Sequence, residues 1–275
     1  MFDNDHISEE LTETKLHSKK VIDTNLLMFN ELEMKSQNRF LSALSESDWQ
    51  RWKPKLQPVE LQAGEVVYES GINIPYIIFP TTAIVSLLHI LGDGECSEIA
   101  STGCDGLVGV SIFMGGDSTP SRGVVQQPGQ GYRISTQFIK DEFHRSLAIM
   151  ELMLRYTQAL MTQMSQLAVC RCHHSLEQQL CRWILFNLEL VEAPQLAITQ
   201  EQISHRLGVR REGVTRAAGN LQKLGIIHYS RGLLNTDNKI ELHAHACECF
   251  DVVQKEYDRL LPKDTSSAVS LFSTY

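Results

Sequence analysis

Apolar and polar positions along the 275-residue chain change their period several times, and each change marks a boundary. The opening stretch MFDNDHISEELTETKLHSKK carries acids and no apolar stripe, which predicts a mobile arm over residues 1–25. From Leu26 to Leu56 the spacing turns helical, with Phe40, Leu41, Leu44, Trp49 and Trp52 at core-like intervals and a fresh helix start at Asp48-Trp49. Beyond Pro58 the segments shorten to EVVYES, PYIIFP, AIVSLLHIL, CSEIAST, GVVQQP and GYRIST. Twelve of the seventeen glycines fall between residues 58 and 131. Short β-rich runs with turns at these intervals predict an antiparallel sandwich or barrel within residues 26–145, with Gly92-Asp93-Gly94 as a hairpin turn.

Near Ser146 the period changes to alternating steps of three and four. Leu147, Met150, Leu154, Thr157, Met161, Met164 and Ala168 form a heptad-like seam on a helix predicted over 146–172, a stretch without Pro or Gly. A second stripe (Ile149, Leu152, Tyr156, Leu160 and Leu167) is placed to pack on the β domain while the first meets a partner. SLEQQLCRWILFNLEL, residues 175–190, predicts an amphipathic helix closed by Pro194.

The stretch 198–231 has the layout of a helix-turn-helix. Thr199 with Gln202 forms a capping box, Ile203 and Leu207 share a face, and Gly208 supplies the turn. A second helix starts near Arg210, with Val214, Ala217 or Ala218, Leu221 and Leu224 inward. Arg211, Glu212, Thr215 and Arg216 line its other side. Their chemistry fits base edges, because Arg pairs bidentately with guanine and Glu accepts from cytosine N4. Ile226 to Tyr229, a turn at Arg231-Gly232, Leu233-Leu234 and a return at Ile240-Glu241-Leu242 predict a β-hairpin wing, followed by a helical tail from about His243 to Leu261. Gly213 and Gly219 inside the second helix each cost about 1 kcal/mol against Ala. Close backbone approach is the one reason the sequence offers for them.

Charge changes the picture only when read locally. The net charge of −8 argues against nucleic acid as a whole-chain property. Between residues 199 and 231, however, six Lys and Arg face two Glu. An acidic body with one basic module predicts DNA contact through that module alone. No apolar run is long enough to span a membrane, no signal peptide is recognisable, and seven cysteines without a disulfide framework predict reduced thiols in a cytoplasm.

This order of parts resembles the Crp/Fnr family of bacterial transcription regulators over roughly residues 38–261, most specifically in ITQEQISHRLGVRREGVTRAAGNLQKLGII. The resemblance implies an α+β fold: an N-terminal antiparallel, cyclic-nucleotide-binding-like β-roll as sensor (26–145), a long dimerisation helix (146–172), a winged helix-turn-helix (173–261) and a flexible tail (262–275). It implies that Arg211, Glu212 and Arg216 read the major groove, with Thr199, Arg210, Thr215, Ser230 and Arg231 completing the DNA-binding set. It further implies a homodimer seamed by Leu147, Met150, Leu154, Met161 and Met164 on a palindromic operator, with RNA polymerase as a further partner of an activator. Members that bind cyclic AMP carry Gly-Glu-Leu followed by Arg-Ser or Arg-Thr. The matching effector segment here is Gly106-Leu107-Val108-Gly109, with Ser121 and Arg122 downstream. Leu107 offers no acceptor for a ribose hydroxyl, so cyclic AMP is disfavoured and the effector is another small molecule or none. Iron–sulfur sensing is rejected, because no cysteine precedes Cys96.

Cys170-Arg171-Cys172-His173-His174 and His243-Ala244-His245-Ala246-Cys247-Glu248-Cys249 look metal-like by composition. Were the second run one helix, only His243 with Cys247 or His245 with Cys249 would face together, and two ligands do not make a structural zinc site. No metal and no cofactor are therefore expected. Nucleophile-elbow, phosphate-loop and dinucleotide motifs are missing, which speaks against an enzyme. The competing readings are a non-DNA sensor or scaffold that uses both modules for protein contacts, and a thiol- or metal-based sensor.

Overall fold

The computed structural model describes residues 34–191, 195–236 and 238–262. The arm expected over 1–25, the first part of the helical stretch expected from Leu26, Pro194 and all but the first residue of the expected tail lie outside them. The architecture that follows is that of the compact unit Asn38–Tyr275.

Two short helices open it, α1 (Arg39–Ser42) and α2 (Glu46–Trp52). Asn38, fully buried, caps α1 through its side-chain oxygen and donates its amide to the carbonyls of Pro80 and Gly106, both at 2.8 Å. Ser45 caps α2 by accepting from the Asp48 N–H, so this helix begins at Glu46 rather than at the expected Asp48-Trp49.

Seven strands follow: β1 (Gln57–Leu61), β2 (Val66–Tyr68), β3 (Tyr76–Pro80), β4 (Ile84–Ile90), β5 (Cys96–Thr102), β6 (Arg122–Gln127) and β7 (Gly129–Ser135). They pair antiparallel in two sheets, ordered β1-β7-β3 and β2-β6-β4-β5. Ile77, Phe79, Ile84, Val85, Val125 and Ile134 are buried in this β domain. Phe40, Trp52, Phe79 and Tyr156 continue the core as an aromatic cluster with ring centroids 5.7 to 6.4 Å apart. Truncating one such ring to Ala typically costs about 3–5 kcal/mol.

The sequence did not foresee α3 (Thr136–Arg145), capped by Ser135. Its buried Glu142 accepts from Trp52 Nε1 at 3.0 Å and pairs with Arg51 at 2.9 Å, tying α3 to α2. The long helix α4 (Leu147–His173) runs 27 residues from its cap at Ser146. Its two stripes behave differently. Ile149, Leu152, Tyr156, Leu160 and Leu167 are buried, whereas Leu147, Leu154 and Met161 stand 66%, 48% and 60% exposed and Met150 and Met164 are half-buried. Thr157 departs from the exposed stripe: it is buried and donates its hydroxyl to the Met153 carbonyl.

Helix α5 (Leu176–Val191) is buried on nearly every side rather than on one face, and even Gln179, Arg182 and Asn187 are covered. The helices α6 (Gln200–Leu207) and α7 (Arg211–Lys223) precede a three-stranded sheet ordered β8-β10-β9, from Gln195–Ala197, Leu233–Asn235 and His228–Ser230. Strand β8 was not expected. Ile240-Glu241-Leu242, expected to return as a strand, instead lies in α8 (Lys239–His245), because Asn238 caps the Glu241 N–H and starts a helix there. The helical tail also breaks: Ala246 is extended at ψ 164°, and α9 (Cys249–Leu260) begins after it. Helix α9 packs back on α4, with Tyr257 edge-on to Tyr156 at 6.5 Å. Arg39 closes this joint by donating to the backbone carbonyls of Tyr257 and Leu261 and pairing with Asp258.

Candidate nucleic-acid interface

Local chemistry sets the helix-turn-helix. Thr199 accepts from the Gln202 N–H at 3.2 Å while its own N–H donates to Gln202 Oε1 at 2.8 Å, a reciprocal capping box. Gly208 ends α6 at φ +67°, the left-handed conformation that lets the chain turn sharply into the next helix. Helix α7 then starts at Arg211 with Arg210 as its N-cap, and seats Val214, Ala217, Ala218 and Leu221 in the core with Ile203 and Leu207. Leu224, expected in that stripe, is 63% exposed. It is the C-cap of the helix, its N–H still bonded to the Asn220 carbonyl, and its side chain lies beyond the covered part of the stripe.

The opposite face of α7 is polar and open. Arg211, Glu212, Thr215 and Arg216 are all exposed, one turn apart in pairs. Thr215 is held in place by donating to Gln200 Oε1 at 2.7 Å. Beside it stands the hairpin of β9 and β10, whose two turn residues Arg231 and Gly232 have φ +51° and +79°. Positive φ at both positions is the type I′ turn that matches strand twist, and it leaves Arg231 exposed at the tip. Tyr229 fixes this wing by donating its hydroxyl to the Ile198 carbonyl at 2.8 Å, just before α6. Arg210 and Ser230 are exposed as well, and the Thr199 hydroxyl is engaged within the helix cap.

Two further residues change the sequence reading. Arg206, counted there among the local basic residues, is buried; its Nη1 lies 3.4 Å from Glu98 on β5, so its charge is spent inside the protein. Gly213 packs closely on the start of α5, where a Cβ would stand 2.9 Å from Leu176 Cδ2 and that side chain would have to shift. Gly219 has no such neighbour and faces open space.

The candidate effector segments are tied into the β domain. A Cβ on Gly106 would fall 2.0 Å from the Tyr156 ring, and the Leu107 carbonyl accepts from the Tyr156 hydroxyl at 2.8 Å. Leu107 is buried, and Val108 exchanges both backbone hydrogen bonds with Ile78. Gly109 closes the segment at φ +112°. Ser121 is buried beside the Tyr68 and Thr119 hydroxyls, and the Arg122 guanidinium pairs with Glu69 at 2.8 Å. That contact engages Nε of Arg122 and partly neutralises its charge.

Residues 178–241 match the Crp-like helix-turn-helix domain family. No curated relative matches the sequence significantly. Among solved structures the chain is similar to FixK2 from Bradyrhizobium japonicum, at 15% identity and a TM-score of 0.59 over 70% of this chain and 98% of that one. It is similar to the c-di-GMP-responsive global regulator CLP of Xanthomonas campestris, at 16% identity and 0.55 over 68% and 96%. A CRP-family transcriptional regulator from Thermus thermophilus resembles it at 13% identity and 0.58 over 68% and 96%. The shared feature is the fold: a β-sheet domain, a long helix and a C-terminal helix-turn-helix of Crp type. Among the described residues, no helix is long and apolar enough to cross a membrane.

Proposed function

We propose that this chain is a cytoplasmic transcription regulator that binds a specific palindromic DNA operator as a homodimer, with the β domain as its effector module. The observation that carries the reading is the exposed quartet Arg211, Glu212, Thr215 and Arg216 on a helix whose other face is buried. A helix in that setting offers bidentate donors and one acceptor to base edges, while Arg231 on the wing reaches toward phosphate. A scaffold that used this helix for protein contacts would place apolar side chains there, and the four residues are polar or charged.

Dimerisation is supported by the exposed apolar seam of α4, centred on Leu147, Leu154 and Met161 with Met150 and Met164. Paired long helices would set the spacing of the two recognition helices to successive major grooves. The effector is not cyclic AMP on this reading, because the buried Leu107 stands where an acceptor is needed. An activator would also contact RNA polymerase. No catalytic step is assigned.

Selection of bound sequences from a random DNA pool, with wild type and Arg216→Ala side by side, tests the proposal. The expected result is a palindromic motif for wild type and one blurred position per half-site for the variant. Failure of the wild type to enrich any motif, with and without cell extract as a source of effector, overturns it.

A further inference from the structure

The cysteines and histidines that looked unable to share a metal come together through the break after α8. Cys170 and His174 lie at the C-terminal end of α4, and Cys247 and Cys249 flank Glu248 at the start of α9. Because Ala246 is extended, residues 247 and 249 are not two positions of one helix, and both point into the same space. The pairs expected from an unbroken helix do not form this cluster. His243 pairs with Asp251, and His245 pairs with Glu241.

The geometry points to a tetrahedral zinc site made of Cys170 Sγ, Cys247 Sγ, Cys249 Sγ and a ring nitrogen of His174. These ligand atoms all lie within 4.8 Å of one another. Cys170 and Cys247 are 3.5 Å apart at sulfur, and Cys249 Sγ is 3.6 Å from His174 Nδ1. A tetrahedron with Zn–S of about 2.3 Å and Zn–N of about 2.0 Å has edges of about 3.8 Å between sulfurs and about 3.5 Å from sulfur to nitrogen. Apolar packing alone gives no reason for three buried thiols and an imidazole to converge at these spacings.

The surroundings fit the same assignment. His174 Nε2 lies 3.3 Å from Glu248 Oε1, which turns Nδ1 toward the thiols, the carboxylate–histidine arrangement usual around protein-bound zinc. Three thiolates around a divalent ion leave one negative charge, and the buried guanidinium of Arg182 lies within electrostatic reach of Cys170. Four protein ligands close the coordination sphere, so the site is structural. It clamps the end of the long helix to the hinge through which the winged module returns to it. Arg171, next to Cys170, donates to the carbonyls of Glu98 and Arg206, so the clamp sits beside the contact between the β domain and the helix-turn-helix.

The test is cobalt(II) titration of the full-length chain, prepared metal-free under anaerobic, reducing conditions, with zinc added last as competitor. The expected result is one cobalt per chain, a thiolate-to-cobalt charge-transfer band with intense tetrahedral d–d bands, and complete displacement by zinc. Cys249→Ser should lose roughly a third of the charge-transfer intensity at saturation, one thiolate of three, and weaken binding at least tenfold, while Cys172→Ser, exposed and outside the cluster, should match wild type. The wild-type spectrum is decisive even if a variant folds poorly. No cobalt uptake by the wild type, or a weak octahedral spectrum, overturns the site. So does a Cys170–Cys247 disulfide found by mass spectrometry in chain purified with zinc and reductant present.

Discussion

Arg206 of the helix-turn-helix places its Nη1 3.4 Å from the Glu98 carboxylate of the β domain, and both side chains are under a tenth exposed. The same carboxylate accepts from Ser86 at 2.6 Å and from Trp183 Nε1 at 3.2 Å. Ser86 continues to Gln126, and Gln126 to Asn187 on α5. The helix-turn-helix module is thus keyed to the β domain by one buried polar network. Removing one partner leaves a buried charge unpaired, whereas removing both leaves none. Glu98→Met and Arg206→Met alone should therefore each lower the unfolding free energy by roughly 3 kcal/mol, and the double substitution should recover much of that loss. Urea unfolding of the two singles and the double measures this. Additive losses would show that the pair is not coupled.

Asp105 carries a pH dependence of known sign. Its carboxylate accepts from the Gly103 N–H at 2.9 Å, yet burial pushes its pKa up to about 6, with Gly103 and Arg39 opposing the shift. An unfolded Asp titrates near 3.9, so the folded state holds this proton more tightly. Below about pH 4 both states are protonated and no penalty exists; between about 4 and 6 the unfolded chain ionises first and stability falls. Above that window the loss is complete, on the order of 3 kcal/mol. Asp105→Asn should remove this component, so that the stability difference between variant and wild type grows from pH 4 to 6 and is then flat. A difference independent of pH would show that Asp105 titrates normally.

What the sequence made legible was the periodic and the local. The capping box at Thr199 and Gln202, the turn at Gly208 and the two stripes of α4 each depend on residues within a few positions of one another. What stayed hidden depends on distant partners or on a single cap. Arg206 counts toward the local basic charge until its distant partner Glu98 is known. Ile240-Glu241-Leu242 reads as a strand until Asn238 is recognised as a helix cap. The Cys170, His174, Cys247 and Cys249 cluster was discounted because one helix was assumed through Ala246. The one available signal for it was the pairing of a Cys-x-x-x-His with a Cys-x-Cys across the chain.

The two glycines of α7 should respond differently to alanine. At Gly219 a Cβ meets nothing within 4 Å, so Gly219→Ala gains helix propensity and should stabilise the fold by up to about 1 kcal/mol. At Gly213 the added methyl stands 2.9 Å from Leu176 Cδ2, and the side chain must move to admit it. Gly213→Ala should accordingly gain less or lose stability. Thermal melting of both variants separates them, and equal shifts would remove the packing explanation for Gly213.

Arg231 and Arg216 should differ in what DNA binding loses. Arg231 is exposed at the tip of the type I′ turn, which on the proposed function assigns it to the DNA backbone rather than to bases. Arg231→Ala should weaken all DNA about equally and reduce the slope of log affinity against log salt by about one per site. Arg216→Ala should cost about 1–3 kcal/mol on the preferred operator and far less on scrambled DNA. Fluorescence anisotropy over a salt series distinguishes the two. A sequence-dependent loss for Arg231 would move that residue from phosphate to base contact.

Leu147, Leu154 and Met161 recur every seven residues along α4 and remain exposed while the opposite stripe is buried. A heptad repeat of this kind is satisfied when a second α4 lies along it, and burying each side chain contributes roughly 1.5–3 kcal/mol. A charge at the centre of that contact would face its own copy across a two-fold axis and meet repulsion as well as desolvation. Leu154→Glu should therefore convert a dimer to a monomer in sedimentation velocity at micromolar concentration. The variant should keep its fold, since Leu154 is already half exposed in the single chain. On DNA, binding to a palindromic operator should fall by orders of magnitude while weak binding to a single half-site persists. Met161→Leu, which keeps the seam apolar, should leave both properties unchanged. A Leu154→Glu chain that remains dimeric would place the interface elsewhere and leave the exposed stripe of α4 without a partner.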